Sequence, residues 1–262
     1  MMDSERKEGP GRIGSEFSYR TAEALDWDAG LKKAHLALLD EFGIRWNRES
    51  LLTARRGTIS RVLFLDRLYR EVVKVPGVIC EFGVQWGATL ATLINLRSIY
   101  EPYNHARMIF GFDTFEGFTK LDVNDGPLAK PGDYSVPGGY VKTLEDILAL
   151  QEAAAAGSAR TRRQFKLYPG DASVSVKTWR AENPHSIVAL AMFDMDVYRP
   201  TKDVLEHILP RLTKGSVLYF DELNCPEFPG ETIALMETLG LARLRLQQDP
   251  HQPYAAWAVY EG

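Results

Sequence analysis

Short runs of apolar residues alternate with stretches of helical periodicity over the chain from Gly77 onward. The runs have the length of buried strands, and each stretch between them is long enough for a helix. This alternation is typical of βαβ units and a parallel sheet. We predict strands over 77–82, 108–112, 165–168, 187–193 and 216–220, and helices over 90–99, 141–155, 173–181, 201–212 and 231–239.

Two further apolar runs, 242–246 and 254–260, follow the last of these helices. Between them lies Asp249-Pro250, which is a turn signal. The pair predicts an antiparallel finish to an otherwise parallel sheet. The expected fold class is therefore α/β, with a seven-stranded, mostly parallel sheet.

The residues ahead of the sheet fall into two parts. Residues 1–19 are rich in Ser, Gly, Glu, Lys and Arg, which predicts a flexible N-terminal arm. Residues 20–75 carry apolar side chains at helical spacing, which predicts two or three N-terminal helices. These helices could cover an active site, form a subunit interface or pack on the core. The catalytic domain is expected over 76–262.

A long segment, 114–140, separates the second predicted strand from the next helix. It is rich in Gly, Pro and Asp and has no periodicity. Connections in α/β folds usually take only a few residues. We predict an active-site lid, with a disordered surface insertion as the alternative.

Composition narrows the possible functions. A chain of 262 residues with 45% hydrophobic content can build one full catalytic domain. A formal charge of −4 gives no basic excess for binding nucleic acid or an anionic membrane. Two cysteines provide no disulfide framework, and neither a signal peptide nor a spanning apolar run is evident. We expect a cytoplasmic protein with a small-molecule substrate.

The turn after the first predicted strand has the pattern Glu81-x-Gly83-x-x-x-Gly87-x-Thr89. Glycines at such a turn let the backbone bend tightly and approach a ligand before a helix begins. The spacing differs from G-x-G-x-x-G, which weighs against a nicotinamide dehydrogenase. By itself, the turn indicates either a ligand site or ordinary tight packing.

Single carboxylates follow the next two strands, where ligands of open parallel sheets bind. Asp113 could accept two hydrogen bonds from a ribose diol, or it could cap a turn. Asp171 could accept a hydrogen bond from an adenine amino group, cap the next helix, or do both. The two acids together favour an adenosine-containing ligand.

Pairs of carboxylates follow the fourth and fifth strands, namely Asp194 with Asp196 and Asp221 with Glu222. Neighbouring acids repel one another unless protons or a cation compensate them. Oxygen ligands suit Mg²⁺, with Ca²⁺ or Mn²⁺ as alternatives. Such an ion would orient a hydroxyl and promote its deprotonation, as methyl transfer to oxygen requires. The alternative is that some of these acids cap helices, as Asp196 could.

Five motifs follow one another at the predicted strand ends. They are Cys80-Glu-Phe-Gly-Val84 with Gly87-Ala-Thr89, Gly111-Phe-Asp-Thr-Phe-Glu-Gly-Phe118, Leu167-Tyr-Pro-Gly170, Phe193-Asp-Met-Asp-Val-Tyr198 and Gly215-Ser-Val-Leu-Tyr-Phe-Asp-Glu222. With these motifs the chain resembles, over about 63–260, the macrocin O-methyltransferase family of deoxysugar methyltransferases from antibiotic biosynthesis. The resemblance implies a class I methyltransferase (Rossmann-like) fold, S-adenosylmethionine as cofactor, and Mg²⁺-dependent transfer to a sugar hydroxyl.

The resemblance also implies roles for individual residues. Asp113 would bind the ribose diol, Asp171 the adenine, and the turn after the first strand the methionine and ribose parts of the cofactor. The implied cofactor-binding set is Glu81, Phe82, Gly83, Gly87, Thr89, Asp113, Thr114, Phe115, Asp171, Ala172 and Asp194, and the implied metal ligands are Asp194, Asp196, Asp221 and Glu222.

Two departures from the family pattern affect the predicted chemistry. Glu222 stands where the family commonly has Asp, which puts its direct ligation of the metal in doubt. The long loop has no histidine to act as a base. Asp196 is therefore the candidate general base, with Asp194 beside it.

The acceptor is expected to be a nucleotide-linked sugar such as TDP-rhamnose. A sugar already attached to a natural product, a catechol-type acceptor and a non-catalytic binding role are the alternatives. A homo-oligomer is also expected. Basic residues available for a diphosphate are Lys120, Lys130, Lys142, Arg160, Arg162 and Arg163.

Overall fold

A computed structural model describes residues 11–13, 16–18, 20–156 and 163–262. Within it, the chain divides into two compact units, Met1–Ser60 and Arg61–Gly262. Much of the predicted N-terminal arm, as well as Arg160 and Arg162, lies outside the described residues. No helix in the described ranges is long and apolar enough to cross a membrane.

The first unit contains a pair of three-residue strands, a 17-residue helix and a short helix. Strands β1 (Gly11–Ile13) and β2 (Glu16–Ser18) pair antiparallel. Helix α1 (Ala22–Leu38) starts at Thr21, whose side chain accepts a hydrogen bond from the Ala24 N–H at 3.2 Å. Helix α2 follows at Trp46–Glu49, between two 3₁₀ turns.

The second unit carries the sheet and its flanking helices. Helix α3 (Arg56–Val72) leads into it. The strands are β3 (Val78–Phe82), β4 (Ile109–Asp113), β5 (Phe165–Pro169), β6 (Val188–Phe193), β7 (Leu212–Phe220), β8 (Gln247–Asp249) and β9 (Gln252–Val259), and the helices are α4 (Ala88–Tyr100), α5 (Tyr140–Ala156), α6 (Ala172–Glu182), α7 (Tyr198–Ile208) and α8 (Gly230–Thr238).

The seven strands form one sheet in the order β5-β4-β3-β6-β7-β9-β8. The first five are parallel, whereas β9 pairs antiparallel with both β7 and β8. Strand order reverses between β3 and β6, which opens a crevice at their carboxyl ends, where ligands bind in such sheets. The predicted fold class is confirmed.

The largest differences from the predicted boundaries lie in two regions. Helix α7 ends at Ile208, because Pro210 in the 3₁₀ turn Leu209–Arg211 has no N–H group to continue the helix. Strand β7 starts four residues earlier than predicted, at Leu212. The run 242–246 is not a strand. Gly240, with φ +79°, starts a 3₁₀ turn at Leu241–Arg243, and the edge strand forms later, at β8.

The sheet separates two hydrophobic layers, because successive side chains of a strand point to opposite faces. Ile79 and Tyr219 enter the layer that contains α3, α4 and α5. Cys80 and Leu218 enter the layer that contains α6, α7 and α8. The sheet is therefore covered by helices on both faces.

Five aromatic rings form a row across the sheet in the second layer, close to the strand ends. In spatial order they are Tyr168, Phe112, Phe82, Phe193 and Phe220, with neighbouring ring centroids 5.0, 4.6, 5.5 and 4.9 Å apart. Each adjacent pair is also paired in strand register. The row aligns the ends of five strands and gives the site above it a rigid base.

Candidate functional site

Four carboxylates lie on one face of the sheet at its carboxyl edge. Asp113, Asp194 and Asp221 each follow a ring of the aromatic row, and Glu81 precedes one. The period of two therefore directs all four toward the layer opposite the rings. That layer contains α3, which carries Arg61.

A cavity of about 350 Å³ opens above these strand ends. Phe82, whose ring lies in the aromatic row, is not among the residues that line it. Phe115 is 6% exposed and packs in the hydrophobic layer, although its loop borders the cavity. The cavity brings together the other residues predicted from sequence, which are Glu81, Gly83, Gly87, Thr89, Asp113, Thr114, Asp171, Ala172, Asp194, Asp196, Asp221 and Glu222.

Gly83 permits a close approach between two strand ends. Its φ is +93°, and a Cβ atom there would lie 1.7 Å from the backbone oxygen of Asp194. The Asp194 N–H in turn donates to the Phe82 carbonyl at 2.8 Å. The partner that requires glycine at this position is therefore the end of β6.

Asp113 fixes the glycine-rich turn from the neighbouring strand. Its Oδ2 accepts hydrogen bonds from the N–H groups of Val84 and Gln85 at 2.6 and 2.7 Å, and its Oδ1 accepts one from Phe115 at 2.6 Å. Asp171 caps α6 by accepting from the Ser173 N–H at 2.8 Å while also lining the cavity. For both acids, capping and exposure to the cavity coexist.

Glu81 is the most deeply buried acid of the cavity, at 2% exposure. Its Oε2 atom has no hydrogen-bond partner among the described residues. Burial, aided by the nearby Asp194 carboxylate, raises the pKa of Glu81 well above its usual range. An acceptor of this kind favours a ligand that donates a hydrogen bond or carries positive charge.

Arg61 joins the acidic strand ends. Its Nη1 donates to Tyr219 Oη at 2.7 Å and to Asp221 Oδ1 at 2.9 Å, while its Nη2 donates to Thr89 Oγ1 and Asp194 Oδ2, both at 3.3 Å. The guanidinium carbon also lies 5.5 Å from the Tyr219 ring centroid. Arg61 thus supplies the positive charge between the ends of β6 and β7.

The positive charge of Arg61 does not balance all the negative charge of the carboxyl groups at the ends of β6 and β7. Burial, reinforced by Asp221, raises the pKa of Asp194 to about 8 despite the opposing effect of Arg61. Burial and Asp221 raise the pKa of Glu222 to about 7, and burial and Asp194 raise the pKa of Asp196 well above its usual range. The cavity can therefore accept additional positive charge.

These shifts predict a pH dependence of stability. The folded-state pKa values of Asp194 and Glu222 lie above their ordinary ones, so the folded chain binds more protons than the unfolded chain from about pH 4 to about pH 8. The free energy of unfolding should therefore fall as the pH rises through this window. Denaturant unfolding of the ligand-free protein at constant ionic strength measures it. Asp194→Asn should flatten the slope, and a slope unaffected by this change would contradict the assignment.

The predicted metal site was tested against the arrangement of its residues. In the described part of the chain, no group of three or more His, Cys, Asp or Glu side chains is arranged to hold a metal ion. The donor chemistry nevertheless suits a hard cation, and Arg61 stands in as a cation between Asp194 and Asp221. A metal ion bound to both acids would require Arg61 to withdraw.

The segment predicted as a lid is folded and borders the cavity. Its Asp125 is 1% exposed and accepts a hydrogen bond from the Tyr198 N–H at 2.5 Å, just beyond β6. Phe118 and Tyr134 line the cavity with ring centroids 5.3 Å apart, and Lys120 lies beside them. The segment therefore joins the acidic end of β6 to an aromatic wall.

Sequence reasoning missed Arg61, which donates hydrogen bonds to the strand-end acids, and several aromatic residues that line the cavity. Arg61 lies 133 residues from Asp194, so no local pattern connects them. Trp86, Phe118 and Tyr134 stand within a turn and a loop, where aromatic residues have no periodicity to reveal them. The excess of acids at the strand ends was a signal that some cation must be near, although it did not identify Arg61.

No family model matches the chain. Mycinamicin III 3''-O-methyltransferase from Micromonospora griseorubida is 28% identical over 153 residues, which cover 58% of this chain and 57% of that protein. The chain thus matches only a little over half the length of this curated relative.

Solved structures give fuller matches. The crystal structure of the calicheamicin methyltransferase CalS11 is 40% identical with a TM-score of 0.85, covering 98% of this chain and 100% of that chain. Its apo structure, described as a TDP-rhamnose 3'-O-methyltransferase, is 38% identical with a TM-score of 0.79, covering 94% and 97%. The O-methyltransferase NovP, 16% identical with a TM-score of 0.60 and coverage of 78% and 81%, shares the fold.

The near-complete match to CalS11 agrees with the motifs at the strand ends and with the seven-stranded sheet. The chain therefore belongs to the macrocin O-methyltransferase-like family of S-adenosylmethionine-dependent sugar O-methyltransferases.

Proposed function

We propose that the protein transfers a methyl group from S-adenosylmethionine to a hydroxyl of a deoxysugar on a nucleotide carrier, such as TDP-rhamnose, in natural-product biosynthesis. The observation that carries the proposal is that the glycine-rich turn and four strand-end carboxylates line one cavity. The name of CalS11 as a TDP-rhamnose 3'-O-methyltransferase supports the acceptor.

The proposed cofactor position follows the carboxylates along the sheet. Asp171 lies beside the end of β5, Asp113 at the end of β4 and Glu81 in β3, which suits adenine, ribose and the cationic methionine part in that order. The buried, unpartnered Oε2 of Glu81 supports a positively charged or hydrogen-bond-donating group at the last position. Gly83, Gly87 and Ala172 line the cavity along this path.

Asp113→Asn should weaken cofactor binding by about ten- to a hundredfold, because the amide has only one acceptor oxygen for the bonds that Asp113 makes. Calorimetry with S-adenosylhomocysteine measures the effect. Asp146→Asn removes an exposed carboxylate on α5 and serves as the matched control. Reduced turnover with unchanged affinity would contradict the cofactor role of Asp113.

The proposed chemistry is an in-line displacement at the sulfonium methyl carbon. The acceptor oxygen forms the new C–O bond, the S–C bond breaks, and the hydroxyl proton passes to Asp196, with Asp194 beside it. No described group donates a hydrogen bond to the Asp196 carboxyl, so it is available to a substrate hydroxyl. Its raised pKa makes it a stronger base once it is ionised.

We propose that methyl transfer also requires a divalent metal ion, held by the acids at the ends of β6 and β7. Asp194, Asp196, Asp221 and Glu222 would hold a divalent ion such as Mg²⁺, which would supply stabilisation of the developing alkoxide. The undercompensated charge of these four acids supports this proposal. Arg61 balances part of that charge in the protein alone.

Exhaustive removal of divalent ions should lower turnover at least about tenfold, and Mg²⁺ should restore it. Binding of S-adenosylhomocysteine should change little, because its proposed contacts do not involve the metal. Rates and calorimetric affinities before and after chelation measure both effects. Unchanged turnover in stripped protein would overturn the metal requirement.

The acceptor is proposed to bind against the aromatic wall. Trp86 is 47% exposed and makes an edge-to-face contact with Tyr140, with centroids 5.0 Å apart. With Phe118 and Tyr134 it offers apolar surface to a deoxysugar or a base, and the ammonium of Lys120 suits a diphosphate. We propose that this segment acts as the lid over the acceptor.

A panel of acceptors tests the proposal. Methylation of TDP-rhamnose in the presence of S-adenosylmethionine, detected by mass spectrometry, is the expected result. Activity only on a glycosylated natural product would place methylation after sugar attachment. Activity on catechols alone would overturn the sugar acceptor.

A homo-oligomer remains a proposal, as does a cytoplasmic location. The first unit offers support for self-association, because no residue of α1 or α2 is buried. Its exposed apolar side chains include Trp27, Leu36, Ile44 and Leu52, with exposures of 61%, 61%, 98% and 71%. Such a surface is typical of an interaction site.

A further inference from the structure

A buried acid outside the predicted site connects the two acidic strand ends. Glu231, in the first turn of α8, is 0% exposed. Its Oε1 accepts hydrogen bonds from the N–H groups of Met195 and Asp196 at 3.1 and 3.3 Å. Its Oε2 accepts from the Glu222 N–H at 3.3 Å. A single carboxylate thus binds the backbone beyond β6 and the backbone beyond β7.

The start of α8 is packed tightly against the same loop. A Cβ atom on Gly230 would lie 2.5 Å from the Tyr198 nitrogen and 2.8 Å from the Asp196 backbone oxygen. This close packing leaves Glu231 little freedom to move away from the loop. Gly230 therefore makes possible the approach on which the hydrogen bonds of Glu231 depend.

The backbone that Glu231 binds is in an uncommon conformation. Asp196 has φ +61°, in the left-handed region that residues other than glycine seldom adopt. Such conformations persist where surrounding contacts over-determine them. The hydrogen bonds from Met195 and Asp196 to Glu231 provide contacts of that kind.

We propose that Glu231 is a positioning residue for methyl transfer, which sets the spacing of the β6 and β7 acidic ends and holds the Asp196 carboxyl toward the cavity. The inference rests on the proposed function of Asp196. It also makes a claim about the backbone alone, which can be tested without turnover. Glutamate is suited to the role because both of its oxygens accept, whereas the NH₂ group of glutamine would face backbone donors.

Glu231→Gln is the main test, with Glu237→Gln as the matched control. Glu237 lies on the same helix, is partly exposed, and pairs with Lys202 and Tyr198 away from the cavity. Glu231→Gln should lower kcat about a hundredfold, because a displaced base loses alignment with its substrate. The affinity for S-adenosylhomocysteine should stay close to that of the wild type, and Glu237→Gln should change neither quantity.

Amide hydrogen exchange tests the backbone claim directly. Segments containing Met195, Asp196 and Glu222 should exchange about tenfold faster or more in Glu231→Gln, whereas β3 should be unaffected. Glu231→Asp, which keeps both oxygens, should recover part of kcat and of the protection. If the wild type is inactive on every acceptor while exchange still changes as expected, the proposed function is wrong. The inference that Glu231 holds the backbone at the two acidic ends is then still supported.

Two results would overturn the inference. One is a Glu231→Gln variant with wild-type kcat and unchanged exchange at the two acidic ends. The other is a parallel loss of cofactor affinity, melting temperature and kcat in Glu231→Gln, accompanied by faster exchange throughout the sheet. That pattern would identify Glu231 as a general structural residue.

Discussion

Asp196→Asn is expected to lower kcat by about 10²- to 10⁴-fold, the range in which removal of a general base falls. The amide cannot take the hydroxyl proton of the acceptor. Cofactor affinity should change little, because the proposed cofactor contacts lie at Glu81, Asp113 and Asp171. Single-turnover rates with saturating acceptor, together with calorimetry, separate the two effects.

Asparagine is the appropriate replacement because Asp196 has φ +61°. Asparagine is among the few residues that tolerate this region, so the backbone can stay in place while the base is lost. Asp203→Asn is the matched control, since Asp203 pairs with Arg199 on α7 outside the cavity. Near-normal turnover by Asp196→Asn would remove Asp196 from the mechanism and shift attention to Asp194.

Arg61→Gln is expected to destabilise the protein and move its activity toward alkaline pH. The guanidinium opposes the rise in the pKa of Asp194, so removing it should raise that pKa above about 8. Less Asp194 would then be ionised at neutral pH. The side chains of Arg61, Asp194 and Asp221 are 23%, 30% and 25% exposed. We therefore expect the free energy of unfolding to fall by about 2 kcal/mol, which is less than for the loss of a partner in a fully buried ion pair.

The direction in which pH changes the stability of Arg61→Gln follows from the protons bound by the folded and the unfolded chain. A further rise in the folded-state pKa of Asp194 means that stability is lost as the pH rises, so Arg61→Gln should differ from the wild type more at pH 9 than at pH 6. Arg70→Gln on the same helix removes an exposed pair with Asp66 and should have little effect. An Arg61→Gln variant with wild-type stability and an unshifted pH profile of kcat would contradict the role of Arg61.

Much of the fold was predictable from local patterns. Apolar runs of strand length alternate with helical stretches, and this periodicity depends only on which face of each element is buried. The strand ends were also visible, because Phe112, Phe193 and Phe220 are each followed directly by an acid. Boundaries were less accurate where a proline or glycine ends an element, as at Pro210 and Gly240.

The site was predictable as a set of acids, but its internal contacts were not. Gly83 lines the cavity, and the structure adds a close neighbour, the Asp194 backbone, that no local pattern reveals. The ring of Phe82 lies in the aromatic row and outside the cavity lining, and its contact with the cofactor stays a prediction. For both residues, the sequence indicated a position at the end of the first strand of the sheet. It did not indicate which residues of other strands would contact them.

The sequence by itself determined the α/β sheet, the order of its strands along the chain and the position of acids at their carboxyl ends. Only the tertiary structure decided how these acids are compensated and held, through Arg61 on a helix ahead of the sheet and Glu231 on a helix after it. The physical reason is that periodicity records burial of nearby residues, whereas contacts such as that of Arg61 with Asp221 join side chains 160 residues apart.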